Sequence, residues 1–579
     1  MNGRYTNERN IQMVIALMKA HNIHKVVASP GTTNITFVAS IQDDPFFEIY
    51  SSVDERSAAY IACGLSEESG EAVALTCTGA TASRNYLSGL TEAYYRKLPI
   101  LAITSTQHVG RIGQNIAQVI DRTEIQNDVA KLSVQIPAIH DAEDEWAYNV
   151  MLNKAMLELT HNGGGPVHIN LTTTYSKTYD VEKLPDERVI RRYCMGDALP
   201  EIPSGKVGII VGAHKKWTKT QIDALETFCA AYGAVVFCDH TSNYLGKYAV
   251  HPSLVCSQKQ YNSPCKQLDL LIDIGDITGA AMAMHPKTVW RVNPDGEIRD
   301  TYRKLSNVFQ MEESEFFAAY SAKTSAKRDE SYLNAWKAEC KKIVEKVPEL
   351  PLSNAWIAKT TSALLPKDAV LHFGILNSLR SWNFFEIGMP YTAFSNTGGF
   401  GIDGCVSSLV GGALADPKHL HFGFVGDLAM FYDLNSLGNR HVTTTIRLLV
   451  VNNGRGQEFR NYNHPAADFG EQSDGYIAAA GHYGKQSHEL LKHYAEDLGF
   501  TYLAASNKEE FLQNVKVFTD AKMTDKPILF EVFTDTEDEN AALKAMHTIE
   551  SDATGTAKKL AKEVLGDKGF QALKNLIKK

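Results

Sequence analysis

The sequence predicts an α/β protein of three doubly wound parallel-sheet domains followed by a C-terminal helical extension. Three observations carry that prediction. Helix-period and strand-like runs alternate through residues 1–180, the alternation returns after a polar linker, and it returns again around the run from Phe424 to Phe459. Such alternation pairs strands in parallel and lays helices on both faces of each sheet. A chain of 579 residues is long enough for several domains, at about 100–200 residues each.

In the first domain, residues 1–180, Ile11 to His21 reads as a helix and Lys25 to Ser29 as a buried strand that ends in Pro30-Gly31-Thr32-Thr33. Phe47 to Tyr50 is a second strand and Ser57 to Gly64 a helix of small residues. Ala72 to Thr76 is a third strand, entering Cys77-Thr78-Gly79-Ala80, and Pro99 to Thr104 is a fourth. Ligands of such a sheet lie at the strand ends. A polar, Pro-bearing linker runs from about Tyr179 to Gly205. The second domain, residues 200–325, holds the strands Lys206–Gly212, Ala234–Cys238 and Leu268–Gly275. Its first strand is not followed by Gly-x-Gly-x-x-Gly, so a flavin or nicotinamide site is not expected. A charged, helix-prone connection from Ser321 to Ser353 leads to the third domain, residues 350–537. Residues 538–579 read as helix, with Leu560, Val564, Leu565, Phe570, Leu573, Leu576 and Ile577 as an apolar stripe.

Composition excludes several classes. The net charge of −9 argues against a general nucleic-acid binder. Nine cysteines without a Cys-x-x-Cys spacing point to a reducing compartment, the cytoplasm, and away from a zinc site. No stretch reaches the roughly 18 apolar residues of a membrane span.

The third domain carries the chemistry. Phe424-Val-Gly-Asp427-Leu closes one buried strand, an amphipathic helical pattern follows to about Arg440, and Ile446 to Val451 is a strand ending in Asn452-Asn453-Gly-Arg-Gly. Asp427 then stands at a strand end and helix start, beside N–H groups able to receive phosphate oxygens. Asn453 closes the neighbouring strand. A hard cation such as Mg2+ takes octahedral oxygen ligands. A carboxylate from Asp427, an amide oxygen from Asn453 and the backbone carbonyl of Arg455 suit it. Both Asp and Asn are also ordinary turn residues at strand ends.

This spacing resembles the cofactor motif of thiamine diphosphate (ThDP) enzymes, Gly-Asp-Gly with a later Asn-Asn, although Leu428 stands at the third position. The resemblance extends through Ser29-Pro-Gly, Asp54-Glu-Arg-Ser-Ala, Thr76-Cys-Thr-Gly, the run Ser395 to Gly404 and the run Val425 to Asn435. In order and spacing these are similar to the MenD family of ThDP-dependent carboligases, over the chain to roughly Glu537. The resemblance implies the three-domain ThDP decarboxylase architecture: a pyrimidine-binding domain, a central domain and a diphosphate-binding domain. It also implies ThDP and Mg2+ as cofactors, and a homodimer or homotetramer with active sites between subunits.

Carried over by resemblance, Glu55 is the catalytic residue. It would hydrogen-bond the pyrimidine and favour the imino tautomer that deprotonates the cofactor. A plain helix N-terminal acid is the alternative for Glu55. Pro30, Thr78, Gly79 and Ala80 would line the pyrimidine pocket. Ser395, Asn396, Gly426, Asp427, Leu428, Asn453, Arg455 and Gly456 would lie about the diphosphate. Ile402 would be the apolar wedge under the cofactor, and core packing accounts for it equally. Arg455 would add a charge to the diphosphate loop.

The sequence departs from the family where substrates bind. Thr32-Thr33 replaces a Ser-Arg pair, Thr397 replaces the Arg of Ser-Asn-Arg-Gly, and Thr106-Gln107-His108 replaces Asp-Arg-Pro. Each lost guanidinium removes a bidentate carboxylate partner that threonine does not replace. Thr32, Thr33, Asn34, Gln107 and Thr397 instead suggest a neutral pocket for a hydroxyl-rich acceptor such as a sugar, with a small donor such as pyruvate. Gln118 matches a family glutamine, Arg299 lies near a family arginine, and Phe459 belongs to the same substrate set. His108 is either a substrate contact or a satisfied surface residue. Three readings follow: a carboligase of altered substrate choice, a simple 2-oxo acid decarboxylase, and a catalytically silent ThDP-fold binding protein.

Overall fold

The computed structural model describes residues 4–324, 328–483 and 486–552. Its first strands are β1 (Lys25–Ala28), β2 (Glu48–Ser51), β3 (Val73–Cys77), β4 (Ile100–Thr106), β5 (Leu132–Ile136) and β6 (Val167–Thr172). Next come β7 (Arg191–Cys194), β8 (Val207–Val211), β9 (Val235–Cys238), β10 (Ala249–Val250), β11 (Gln267–Ile274), β12 (His285–Val292) and β13 (Leu305–Gln310). The last are β14 (Ala369–Phe373), β15 (Tyr391–Ser395), β16 (His421–Gly426), β17 (Ile446–Asn452), β18 (Thr501–Ala505) and β19 (Ile528–Phe533). All pairings among them described below are parallel.

The chain divides into two compact units. The first unit, Met1–Ala198 with Gly296–Gln310, holds a sheet of order β2-β1-β3-β4-β6-β5 and the strand pair β7 and β13. The second, Leu199–Asp295 with Met311–Lys579, holds the run β10-β9-β8-β11-β12 and a sheet of order β15-β14-β16-β17-β19-β18. The first and third sheets therefore repeat one wiring. In each, strand order reverses between the first and third strands in sequence, β1 and β3 or β14 and β16. A ligand crevice is expected outside the carboxyl ends of those strands.

Burial explains why these runs are strands. Every residue of β3, β4, β6, β14 and β17 is buried, as in a sheet covered on both faces. The small-residue helix spans Glu55–Ser69, because Asp54 caps it by accepting from Ser57 N–H at 2.8 Å and Gly70 ends it at φ +69°. Its Ala59 meets Gly89 so closely that a Cβ there would lie 2.4 Å from the Ala59 methyl. Small side chains are what let these two segments touch.

Three expectations need correction. The linker from Tyr179 to Gly205 contains β7, whose Arg191, Arg192 and partly exposed register hide it from an apolar pattern. The helix after Asp427 stops at Tyr432 and is followed by a 3-10 segment, Leu434–Gly438. Asp433, 4% exposed, turns its carboxylate to the N–H and hydroxyl of Ser407 and breaks the run. The helix that opens the extension, Thr536–His547, ends at His547, and residues 548–552 are not helical. Beyond it Ser551 bridges Gln260 and Lys259 N–H donates to His547 O at 2.8 Å. The apolar stripe from Leu560 to Ile577 lies outside the described residues. No described helix is long and apolar enough to cross a membrane.

Candidate active site

The second unit's site is built from the ends of β14, β16 and β17. Gly426 ends β16 and Asp427 opens the helix Asp427–Tyr432, 5% exposed, with its carboxylate accepting from Gly454 N–H at 2.9 Å. Burial pushes the Asp427 carboxyl up to about 7. Beside it, Asn452 donates to Glu531 at 2.7 Å and so is committed to the core. Asn453 is not: its Oδ1 is buried without a hydrogen-bond partner, as is the Ser395 hydroxyl at the end of β15. A buried carboxylate and an orphaned amide oxygen on adjacent strand ends are hard oxygen donors waiting for a charge. The set fits a divalent cation with a diphosphate, with the Arg455 carbonyl next in the loop.

The loop geometry explains the departure at Leu428. Gly454 turns the chain at φ +73°, and Gly456 N–H donates to Ala478 O at 2.6 Å. A Cβ on Gly456 would sit 3.1 Å from Phe459, 3.3 Å from Ala478 O and 3.4 Å from Leu428. The glycine missing after Asp427 is thus offset by a glycine facing Leu428. Ile402, half-buried, packs against the apolar core of this domain and also lines the cleft that Asp427, Asn453 and Gly456 share. Phe459 lines it too and meets His464 edge-on. Asn396 accepts from the Ser408 hydroxyl at 3.0 Å, holding the Ser395-Asn396 turn.

In the first unit, Asp54 does the helix capping and leaves the Glu55 carboxylate with one weak contact, Asn85 Nδ2 at 3.3 Å. The acid is therefore not needed by its own helix. Thr78, Gly79 and Ala80 follow β3, Ala80 at φ +56°, and Pro30 follows β1 as an exposed residue. Thr33, 3% exposed, lies inside this loop pair: Gly79 N–H donates to its hydroxyl at 3.0 Å and the hydroxyl donates to Ser105 O at 3.1 Å.

The expected substrate residues differ in exposure and in partners. Thr33 and Asn34 are buried, Asn34 donating to Ser29 O at 3.0 Å, so of this trio only Thr32 is exposed. Thr397 is 4% exposed. His108, exposed, accepts from Gly110 N–H at 3.0 Å and caps a 3-10 turn. Gln107 accepts from Arg111. Gln118, at φ +63°, and Arg299 are exposed. The charge that Arg455 adds to the loop is paired, because Asp474 takes its guanidinium at 2.9 Å.

Sequence reasoning missed residues beyond the motifs. Asn377 and Ser378 follow β14 and line the cleft, after Leu376 at φ +64°. The loop after β14 is the other half of the switch point, which was the available signal. Glu458 lines the cleft and pairs with Arg380. Arg122, 5% exposed, packs against Gly79 and donates to Ser83 Oγ, Ser105 O and Asn170 Oδ1, and burial pushes its guanidinium down to about 10.

Comparison with known proteins gives the chain's family. The family described as thiamine pyrophosphate enzyme, N-terminal TPP binding domain, matches residues 10–125. The 2-succinyl-5-enolpyruvyl-6-hydroxy-3-cyclohexene-1-carboxylate synthase of Bacteroides thetaiotaomicron is 32% identical over 565 residues, covering 93% of this chain and 98% of the relative. This chain belongs to that synthase family, MenD. The MenD-family synthase of Bacteroides fragilis is 30% identical over 558 residues, with the same coverage of each chain. A solved ThDP-dependent 4-hydroxybenzoylformate decarboxylase from Rhodococcus jostii has a TM-score of 0.37 at 15% identity, covering 92% of this chain and 100% of that one. As a member of the MenD family, the chain is a ThDP-dependent enzyme.

Proposed function

We propose that the protein decarboxylates a 2-oxo acid with ThDP and Mg2+ and passes the acyl unit to an acceptor, forming a carbon–carbon bond. The observation that carries this reading is the pairing of a buried Asp427 carboxylate with the unpartnered Asn453 amide oxygen on adjacent strand ends. Bound ThDP supplies the electron sink for the pair released when CO2 leaves.

The chain's own residues do the rest. Asp427, Asn453 and the Arg455 carbonyl would hold the cation, and N–H groups opening the Asp427 helix would receive phosphate oxygens. Glu55, free of capping duty, would offer its carboxylate to the cofactor's pyrimidine and so favour the tautomer that the chemistry needs. Ile402 and Phe459 keep one side of the cleft apolar and exclude water, which favours transfer over protonation.

The substrates differ from those in the relatives' names. Thr32, Gln107 and Gln118 present neutral hydrogen-bonding groups, and Thr397 stands in place of an arginine, so the acceptor is hydroxyl-rich, of the sugar class. A homo-oligomer is supported by Val53, Tyr60, Ile61 and Tyr95, exposed at 81%, 48%, 43% and 68% around the Glu55 helix. Nine free thiols suit the cytoplasm.

Purified protein with ThDP and Mg2+, offered a panel of 2-oxo acids, should release CO2 from at least one, and Glu55→Gln should cut release by about 10²–10⁴. Release of free aldehyde with every acceptor tested would favour a simple decarboxylase. Absence of ThDP binding would overturn the reading in favour of a silent protein.

A further inference from the structure

The buried guanidinium groups of Arg192 and Arg291 meet carboxylates, Glu158 at 3.2 Å and Asp273 at 3.1 Å. That of Arg447 is met by three backbone carbonyls, of Thr444, Ile446 and Lys522. Arg122, 5% exposed, has a poorer set: the Ser83 hydroxyl at 3.1 Å, Asn170 Oδ1 at 2.8 Å and Ser105 O at 3.3 Å. Its Nε is buried without a hydrogen-bond partner, and among the described residues no carboxylate pairs with it. The titratable groups beside it carry no charge at neutral pH, because burial pushes the Cys77 thiol up to about 12 and the His168 imidazole down to about 3. A guanidinium keeps its proton, so the positive charge is buried without a counter-ion, a state that proteins rarely tolerate.

Arg122 also lines a small cavity of about 20 Å3, walled by the buried Ser83, Tyr86, Thr104 and His168 and closed on its apolar side by Leu90 and Ile125. We propose that a small monovalent inorganic anion, of chloride size, occupies this cavity as the counter-ion of Arg122. The volume suits one water or one ion of about that size. Water would satisfy Nε and leave the charge uncompensated, whereas an anion does both. Arg84 and Glu124 line the cavity as exposed residues, and their opposite signs leave Arg122 to set its field. The site lies behind the loop after β3: the Ser83 hydroxyl that accepts from Arg122 donates to Ala80 O at 2.7 Å, and a Cβ on Gly79 would sit 3.0 Å from the guanidinium. The inference goes beyond the carboligase reading and does not depend on it.

The full-length protein tests this with halide alone, without substrate. Crystals grown in sodium bromide should show an anomalous-scattering peak in the cavity beside the Arg122 guanidinium. Thermal unfolding in sodium chloride against sodium gluconate at equal ionic strength should show a saturable rise in Tm, of roughly 2–4 °C once chloride is about tenfold above its Kd. Arg122→Gln should remove that rise. Where the variant does not fold, the bromide peak in the wild type decides alone. An empty or water-filled cavity in the bromide crystals overturns the inference, as does a chloride effect that survives Arg122→Gln. A bromide peak with no rise in wild-type Tm marks binding at crystal concentration only and overturns it too. Each of these outcomes leaves the test by CO2 release untouched.

Discussion

Arg455 Nη1 lies 2.9 Å from both carboxylate oxygens of Asp474. Arg460 Nη1 reaches the same carboxylate, so one acid fastens two arginines of the loop after β17. The Arg455 side chain is thus a clamp on the loop, while its backbone carbonyl stays available. Asp474→Asn leaves two guanidinium groups without a charged partner and should weaken ThDP binding about tenfold, measured by quenching of intrinsic fluorescence. Arg455→Ala keeps the carbonyl and should retain measurable Mg2+-dependent binding. An unchanged affinity in Asp474→Asn would show that the clamp does not shape the site.

Asp427 is buried as a lone carboxylate next to an unpartnered amide oxygen, so it costs stability until a cation arrives. Asp427→Asn should therefore leave the Tm of the cofactor-free protein equal or higher. It should remove the added stability that ThDP and Mg2+ give the wild type, about 2.7 kcal/mol at a ligand concentration a hundredfold above Kd. Thermal unfolding with and without EDTA reads both arms. A stabilisation by ThDP that survives in Asp427→Asn would contradict the metal assignment.

Asp54 and Glu55 are neighbouring acids with separate duties. Asp54 accepts from Ser57 N–H and holds the helix end, whereas the Glu55 carboxylate, among the described residues, meets Asn85. Glu55→Gln should cut turnover by about 10²–10⁴ with Tm unchanged. Asp54→Ala should lower Tm and leave most of the turnover. Equal effects on both quantities in both variants would undo the division.

The protein should be acid-labile through buried neutral histidines. Burial, helped by Arg122, pushes His168 down to about 3, and its ring nitrogens lie 2.7 Å from the Thr104 hydroxyl and 2.8 Å from that of Ser133. Burial likewise lowers His251 to about 3 and His547 to about 4. Between the unfolded value of 6.5 and these folded values, the unfolded chain binds more protons than the native one. Stability is therefore full above pH 6.5 and falls as pH drops toward 3. Tm should decline from pH 7 to pH 5, and His168→Gln should flatten the decline. A Tm independent of pH over that range would count against it.

Much of the fold was legible because fully buried strands such as β3 and β17 are unbroken apolar runs bounded by turn residues. The candidate cation site was legible for the same reason: Asp427 and Asn453 stand where such runs stop. What escaped depends on partners distant in sequence. Asp433 breaks its helix for Ser407, 26 residues away, and Glu458 faces Arg380 across 78. Neither pairing leaves a local periodicity. Thr33 and Asn34 escaped differently, because residue type shows what a side chain can bond and not which way it turns. β7 was lost in a charged stretch whose pairing with β13 is set more than a hundred residues later.

Ala80 and Leu376 share one awkward feature, φ values of +56° and +64° on residues that carry a Cβ. Each sits just past a central strand, Ala80 after β3 and Leu376 after β14, where the two repeated sheets open their loops. A left-handed backbone at a non-glycine costs of order 1–3 kcal/mol, so rigidity is concentrated where looser turns would be easier to build. The same two positions are the places to look for thermostable descendants of this chain. Glycine there would relax the backbone, and the variants that melt higher should be those that lose rate.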